Sequence, residues 1–373
     1  MYIMLLNGKR RVGPLLQATV LSVCTAVFAI FLCGCGAPQA SDVLLDYNRR
    51  VRNALELDAP SPHQHALPTY PRRRDVRLEL GDLRIGLMDL VSLERCGLEE
   101  LIAERNSGLG KVMPPSQQLL YEHRLLGLAR DCMDTLRANP QRDPELLEKL
   151  QEVVAVKEDD LPRTYWNATF ASPEMAEHLS LAVSPLPLEA AVDVQPQLEA
   201  LYYLRDLRAG LGNSATELVS QELEGHYAQL SNGRYGGQLL QSMDALRYHL
   251  QDVANVLSER QDQRPLCPQG RPTPRAEVLQ NIFQKFYSGQ VQPYMARVHR
   301  EGRAWIDVMD ALAAQQEAMP KVFVPYREAA LSAQNPAAPW PQLVAAIDRH
   351  TRAWQAVFDS CGMQPLSAAG ERR

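Results

Sequence analysis

Apolar residues recur with helical spacing along nearly the whole chain. Leu239, Met243, Leu246, Leu250, Val253 and Leu257 fall at intervals of 4-3-4-3-4, which predicts a narrow apolar seam down one side of a long helix, as in a bundle. Val291, Tyr294, Val298, Trp305, Val308, Leu312 and Met319 continue that register, with Glu301 and Gln315 filling gaps. Leu343, Ile347, Trp354, Phe358 and Cys361 predict a last helix, and Leu125, Ala129, Cys132 and Leu136 an early one. Helix starts are signalled by Asp143-Pro144, Ser172-Pro173, Thr273-Pro274 and Trp340-Pro341. In the first three a capping oxygen precedes a proline whose missing N–H costs nothing at the first helical position. Alternation of the strand type is rare. The best case, Val76 to Ile85 with Gly81-Asp82 at its middle, predicts at most a minor hairpin. No repeat of fixed period is visible. The expected fold is therefore mainly α: an irregular multi-helix bundle, either one body or two lobes dividing near Pro185–Pro196.

One apolar run has no polar face. Leu15 to Leu32 is almost wholly apolar and follows Lys9, Arg10 and Arg11, the layout of a secretory signal. Leu32-Cys33-Gly34 then precedes Cys35, which resembles the bacterial lipobox. The resemblance implies a diacylglyceryl thioether on Cys35, cleavage before it, and a further acyl chain on the new amine. An uncleaved membrane helix and an ordinary signal peptide are the competing readings. The small-residue site ending in Cys directly after the apolar run favours the lipoprotein. Gly36 follows Cys35, where enteric lipoproteins retained in the inner membrane carry Asp. Similarity thus implies the outer membrane, with the chain facing the periplasm. The expected layout is a signal peptide over 1–34, a lipidated arm and linker over 35–74 with a short helix from Val43 to Leu57, a helical periplasmic domain over 75–365, and a disordered tail over 366–373.

Composition narrows this further. A formal charge of −5 and a pI near 6.0 leave no nucleic-acid footprint. Removing the leader leaves about 340 residues, enough for one large domain or two modest ones. Of seven cysteines, Cys24 and Cys33 leave with the leader and Cys35 carries lipid. Cys96, Cys132, Cys267 and Cys361 remain. An even number in an oxidising compartment predicts two disulfides, for which three pairings exist. One early and one late pair favour Cys96–Cys132 and Cys267–Cys361; buried free thiols are the alternative.

Familiar catalytic patterns are missing from the sequence. His63-Gln64-His65 has no other ligand type nearby and reads as a solvated loop, so no metal site is expected. Gly108-Leu109-Gly110-Lys111 lacks the upstream glycine and the Ser or Thr of a phosphate loop. Ser107 and Lys111 do not have Ser-x-x-Lys spacing, and no Gly-x-Ser-x-Gly elbow occurs. Asn167-Ala168-Thr169 is a sequon of the kind common by chance. His226 and His249 read as core or boundary residues, Glu158-Asp159-Asp160 as a solvated acidic end, and Arg72-Arg73-Arg74 as a wet loop able to touch lipid headgroups. The densest polar stretch is Glu104 to Gln117, a connector between two helices. It gathers the candidate binding residues Arg105, Asn106, Lys111, Ser116 and Gln117, and its two glycines suit tight turns. The competing role for these side chains is to satisfy the helix ends on either side.

The same stretch carries a family resemblance. Cys96-Gly97-Leu98, Ile102-Ala103-Glu104-Arg105-Asn106-Ser107 and Leu109-Gly110-Lys111-Val112-Met113-Pro114-Pro115-Ser116-Gln117 resemble an uncharacterised gamma-proteobacterial lipoprotein family, a domain-of-unknown-function family. It implies a Gram-negative source and carries no activity with it. The expectation is a lipid-anchored, non-enzymatic envelope factor with no cofactor beyond its covalent lipid, whose partner is an envelope protein or cell-wall component. The alternatives are a hydrolase of peptidoglycan or lipid with unrecognised catalytic residues, and a small-ligand binder using a pocket lined by Tyr202, Tyr203, Trp305 and Trp354.

Overall fold

A computed structural model describes residues 39–63, 67–81, 93–138, 141, 143–189 and 193–364. The lipobox, His65 and the second half of the expected hairpin lie outside these residues, as does the tail. Among the described residues, the chain from Ala40 onward forms one compact unit, with no division near Pro185–Pro196. Among the described residues every regular element is helical and none is a strand.

The first of the described helices, α1 (Ala40–Ala54), corrects the expected arm. Leu44, Tyr47 and Val51 lie one helical turn apart and are buried in the main core. α1 therefore belongs to the body, packed against residues far downstream, including Tyr287 and His350. After a short turn of helix α2 (Arg73–Val76), residues 77–81 run as an extended strap rather than a strand. Helix α3 (Glu99–Asn106) leads through the connector to α4 (Pro115–Arg137).

Helix α5 (Pro144–Ala168) begins where Asp143 accepts a hydrogen bond from the Leu146 N–H at 3.2 Å. It packs along α4, and the pair shares a buried ion pair, Lys157 Nζ to Glu122 at 2.9 Å. α5 also holds the strap. The Asn167 side chain pairs with both backbone groups of Leu78, the Asp160 carboxylate accepts from the Gly81 N–H, and Trp166 donates to the Val76 carbonyl. Asn167 thus supplies the two hydrogen bonds a neighbouring strand would have given. Asp160 is buried and also bound by Arg163, so the acidic run ends in a structural carboxylate rather than in solvent.

The short α6 (Pro173–His178) is capped by Ser172, and α7 (Gln195–Leu207) and α8 (Ser220–Ser231) follow. The long α9 (Tyr235–Gln263) carries the 4-3-4-3-4 seam, and all six of its residues are buried. Full burial of each such side chain contributes about 1.5–3 kcal/mol. α9 starts with Gly236-Gly237 because segment 178–183 crosses it closely: a Cβ on Gly237 would sit 1.9 Å from the Ser180 carbonyl oxygen.

α10 (Pro274–Ile282), capped by Thr273, runs through a π-helical stretch, Phe283–Val291, into α11 (Gln292–Ala314). The register read through Met319 stops at Ala314, and Met319 packs against the core from the loop beyond. A three-residue turn, α12 (Val324–Tyr326), precedes the last helix, α13 (Pro339–Ser360), which starts at Pro339 rather than Pro341 and packs along α9.

Two pairs of cysteines come to disulfide distance, Cys96 with Cys132 and Cys267 with Cys361, at Cα separations of 5.5 and 5.0 Å.

Candidate functional site

The connector forms because the end of α3 folds straight back. Gly110 lies against the carbonyls of Glu104 and Arg105, where a Cβ would approach to 2.2 Å. Only glycine fits. The other glycine, Gly108, has open space and needs no such freedom. Arg105 donates from Nη1 to the Gly110 carbonyl, and the Gly110 N–H donates to Ser107 Oγ at 3.0 Å. Gly110–Val112 then makes one tight turn before Pro115 opens α4.

Three of the five expected binding residues are committed internally. Arg105 closes the turn. Ser116 donates to Glu224 Oε1 at 2.7 Å, and Gln117 donates to the same oxygen and to Ser220, tying α4 to α8. Asn106 and Lys111 are exposed. Beside them stand residues that the polar reading passed over: Leu109 and Val112 are 83% and 74% exposed, the most exposed large apolar side chains among the described residues.

A groove of about 890 Å³ opens next to the connector, between α3, α4 and the loop before α8. Its apolar lining includes Leu101, Leu128 and Val219, the last two substantially exposed. Glu100, Glu104 and Glu217 line it with a single cation, Arg124. His123 also lines it, but both ring nitrogens are taken by backbone. Nδ1 accepts from the Gly212 N–H at 3.0 Å, which leaves Nε2 as the donor to the Thr216 carbonyl at 2.9 Å. Burial lowers its pKa, so it stays neutral. The imidazole shapes the groove wall by holding the loop, with no ring nitrogen free for proton transfer. The sequence signal for this groove was weak: its acidic residues lie on α3 and a distant loop, and only folding brings them together.

The aromatic pocket expected from Tyr202, Tyr203, Trp305 and Trp354 does not form. Trp305 and Trp354 are fully buried and donate to His178 and Tyr47, respectively. Tyr202 lies under Arg205 and Tyr203 stacks on His226 at 4.0 Å. Nor is His63 a loop residue in solvent: it stacks on Tyr248 and reaches Asp244 at 3.0 Å.

These features define a mainly α-helical protein with a one-sided acidic and apolar groove. The family model for DUF3080, a protein of unknown function, matches residues 44–365, and the chain belongs to that family. The match begins inside α1, which agrees with that helix being part of the body. Comparison with curated proteins and with solved structures finds no match.

Proposed function

We propose that this chain is an outer-membrane lipoprotein, anchored through lipid on Cys35 and facing the periplasm, that acts as a non-enzymatic envelope factor. It binds a basic, partly apolar segment of another envelope protein in the groove beside the connector. The observation that carries this reading is the groove's lining, three carboxylates against one cation around exposed Leu128 and Val219. Apolar surface of this kind marks an interaction site, and complementary charge selects the partner. The full engagement of His123 supports binding over catalysis. The anchor reading rests on Leu32-Cys33-Gly34-Cys35 after the apolar run.

The test is photo-crosslinking in cells from Val219 of the full-length chain, with mass spectrometry of the captured peptide. A reproducible peptide rich in Lys or Arg is expected. The double variant Glu104→Lys with Glu217→Lys should lose that capture while melting at the same temperature, because like-charge contacts cost several kcal/mol. Equal capture by the double variant would defeat the groove reading. Separately, Cys35→Ser should leave a precursor of full length without lipid; a lipidated, shortened product would defeat the anchor reading.

A further inference from the structure

A second, smaller cavity of about 170 Å³ lies elsewhere in the fold, between α7, the start of α9 and α11. Leu186, Pro187 and Val194 supply apolar lining. Polar groups converge on it from three helices: Gln197 of α7, Tyr235 of α9, and Arg297 and Glu301 of α11.

These groups are incompletely satisfied. Gln197 is only 5% exposed, and its Oε1 has no hydrogen-bond partner. Arg297 donates from Nη2 to the Pro187 carbonyl, but its Nε has no hydrogen-bond partner. Arg297 Nε and Glu301 Oε1 are 3.9 Å apart, an ion pair too long to be a hydrogen bond. Burial raises the Glu301 pKa, opposed by Arg297 and Arg300 and by the nearby Tyr235 hydroxyl. An orphaned buried acceptor costs about 1–3 kcal/mol, so such groups are normally paired. Here three orphans, Gln197 Oε1, Arg297 Nε and the Tyr235 hydroxyl, line one cavity.

We propose that this cavity is a binding site for a small zwitterion, an α-amino acid with a short aliphatic side chain. The ligand carboxylate meets Arg297, its ammonium meets Gln197 Oε1 and Glu301, and its side chain packs on Leu186, Pro187 and Val194. The charge balance selects this class. Arg297 and Glu301 cancel, so a lone anion or a lone cation would face one opposite and one like charge, whereas a zwitterion answers both. The volume agrees, since a cavity of about 150 Å³ takes benzene, with room for six heavy atoms or slightly more. This site is separate from the groove and does not depend on the groove reading.

The test uses the full-length protein with glycine, alanine, valine and leucine in both enantiomers, read by thermal shift and calorimetry. Isobutylamine and isobutyrate are the controls, because each keeps only one charged end of valine. At least one aliphatic amino acid should raise the melting temperature saturably, and neither control should. Gln197→Leu should weaken that binding by about 10- to 150-fold, the value of a charge-assisted hydrogen bond. It should also leave the unliganded protein at least as stable, because an orphan acceptor is gone. Should Gln197→Leu not fold, Arg297→Gln reads the same loss from the carboxylate end. The proposal is overturned if no amino acid binds, if either control binds as well as valine, or if binding survives in a folded Gln197 or Arg297 variant.

Discussion

At the scale of single residues, the buried histidines set how the protein answers to acid. Trp305 donates from Nε1 to His178 Nε2 at 2.9 Å, so the His178 proton sits on Nδ1 and points to the Leu230 carbonyl. A second proton on Nε2 would oppose the indole N–H. His350 Nε2 likewise faces the Tyr47 hydroxyl at 2.7 Å and the Trp354 N–H at 3.2 Å. Burial pushes His178 down to about 4 and His350 to about 3, and burial with His63 nearby takes His249 to about 4, each from 6.5. A depressed histidine binds its proton more readily unfolded. Stability is therefore full above pH 6.5 and falls as the pH drops toward the folded-state values. At about 1.4 kcal/mol per unit, His178 alone removes about 3 kcal/mol by pH 4. Buried Glu122 and half-buried Glu174 and Glu301, whose pKa values desolvation raises, act the other way, but only in the window between those raised values and 4.5. Asp244 adds a late loss. Burial works against its charge, but His63 and Arg247 hold it near 2, so its contribution disappears as the pH falls from 3.8 through 2. The melting temperature should thus decline from pH 6.5 downward, with a shallower slope in His178→Gln. A flat profile between pH 6.5 and 4.5 would contradict this account.

At the scale of elements, helix ends were legible because their signals are local. Asp143, Ser172 and Thr273 each accept from the N–H three residues on, at 3.2, 3.1 and 3.3 Å. The cysteine pairs join element ends: Cys96–Cys132 links the turn before α3 to α4, and Cys267–Cys361 links the loop after α9 to the end of α13. Their surroundings differ. Cys267 and Cys361 are buried, whereas Cys96 and Cys132 are half-buried. A thiolate reductant needs access to sulfur, so mild reduction followed by alkylation should label Cys96 and Cys132 first. Full reduction should lower the unfolding free energy by about 2–5 kcal/mol per bridge, read in urea titrations. Simultaneous labelling of all four would sink the burial argument. The connector shows why local polarity misled. Arg105, Ser116 and Gln117 close the turn and tie α4 to α8, so the polar density there serves the fold, and Leu109 and Val112 are what the turn displays.

At the scale of the whole molecule, α1 is the decisive element. Its sequence reads as a short helix before a Pro-rich stretch, with nothing local to place it. In the structure Tyr47 and Leu44 are core, and Tyr47 joins α1 to His350 and Trp354 of α13. A chain beginning at residue 75, the boundary the linear pattern suggests, should fail to melt cooperatively. Tyr47→Ala in the full chain should cost about 3–5 kcal/mol, as for other buried aromatics. A cooperative melt of the shortened chain would show α1 to be dispensable. The sequence by itself determined what depends on near neighbours: helical class, the α9 seam and the caps. Period and capping act within a few residues, so one dimension records them. Only tertiary structure decided that Asn167 and Asp160 hold a strap, that α1 is core, and that Gln197, Arg297 and Glu301 line one cavity. Those groups lie far apart in the chain, and their burial and unmet hydrogen bonds exist only once the helices have packed.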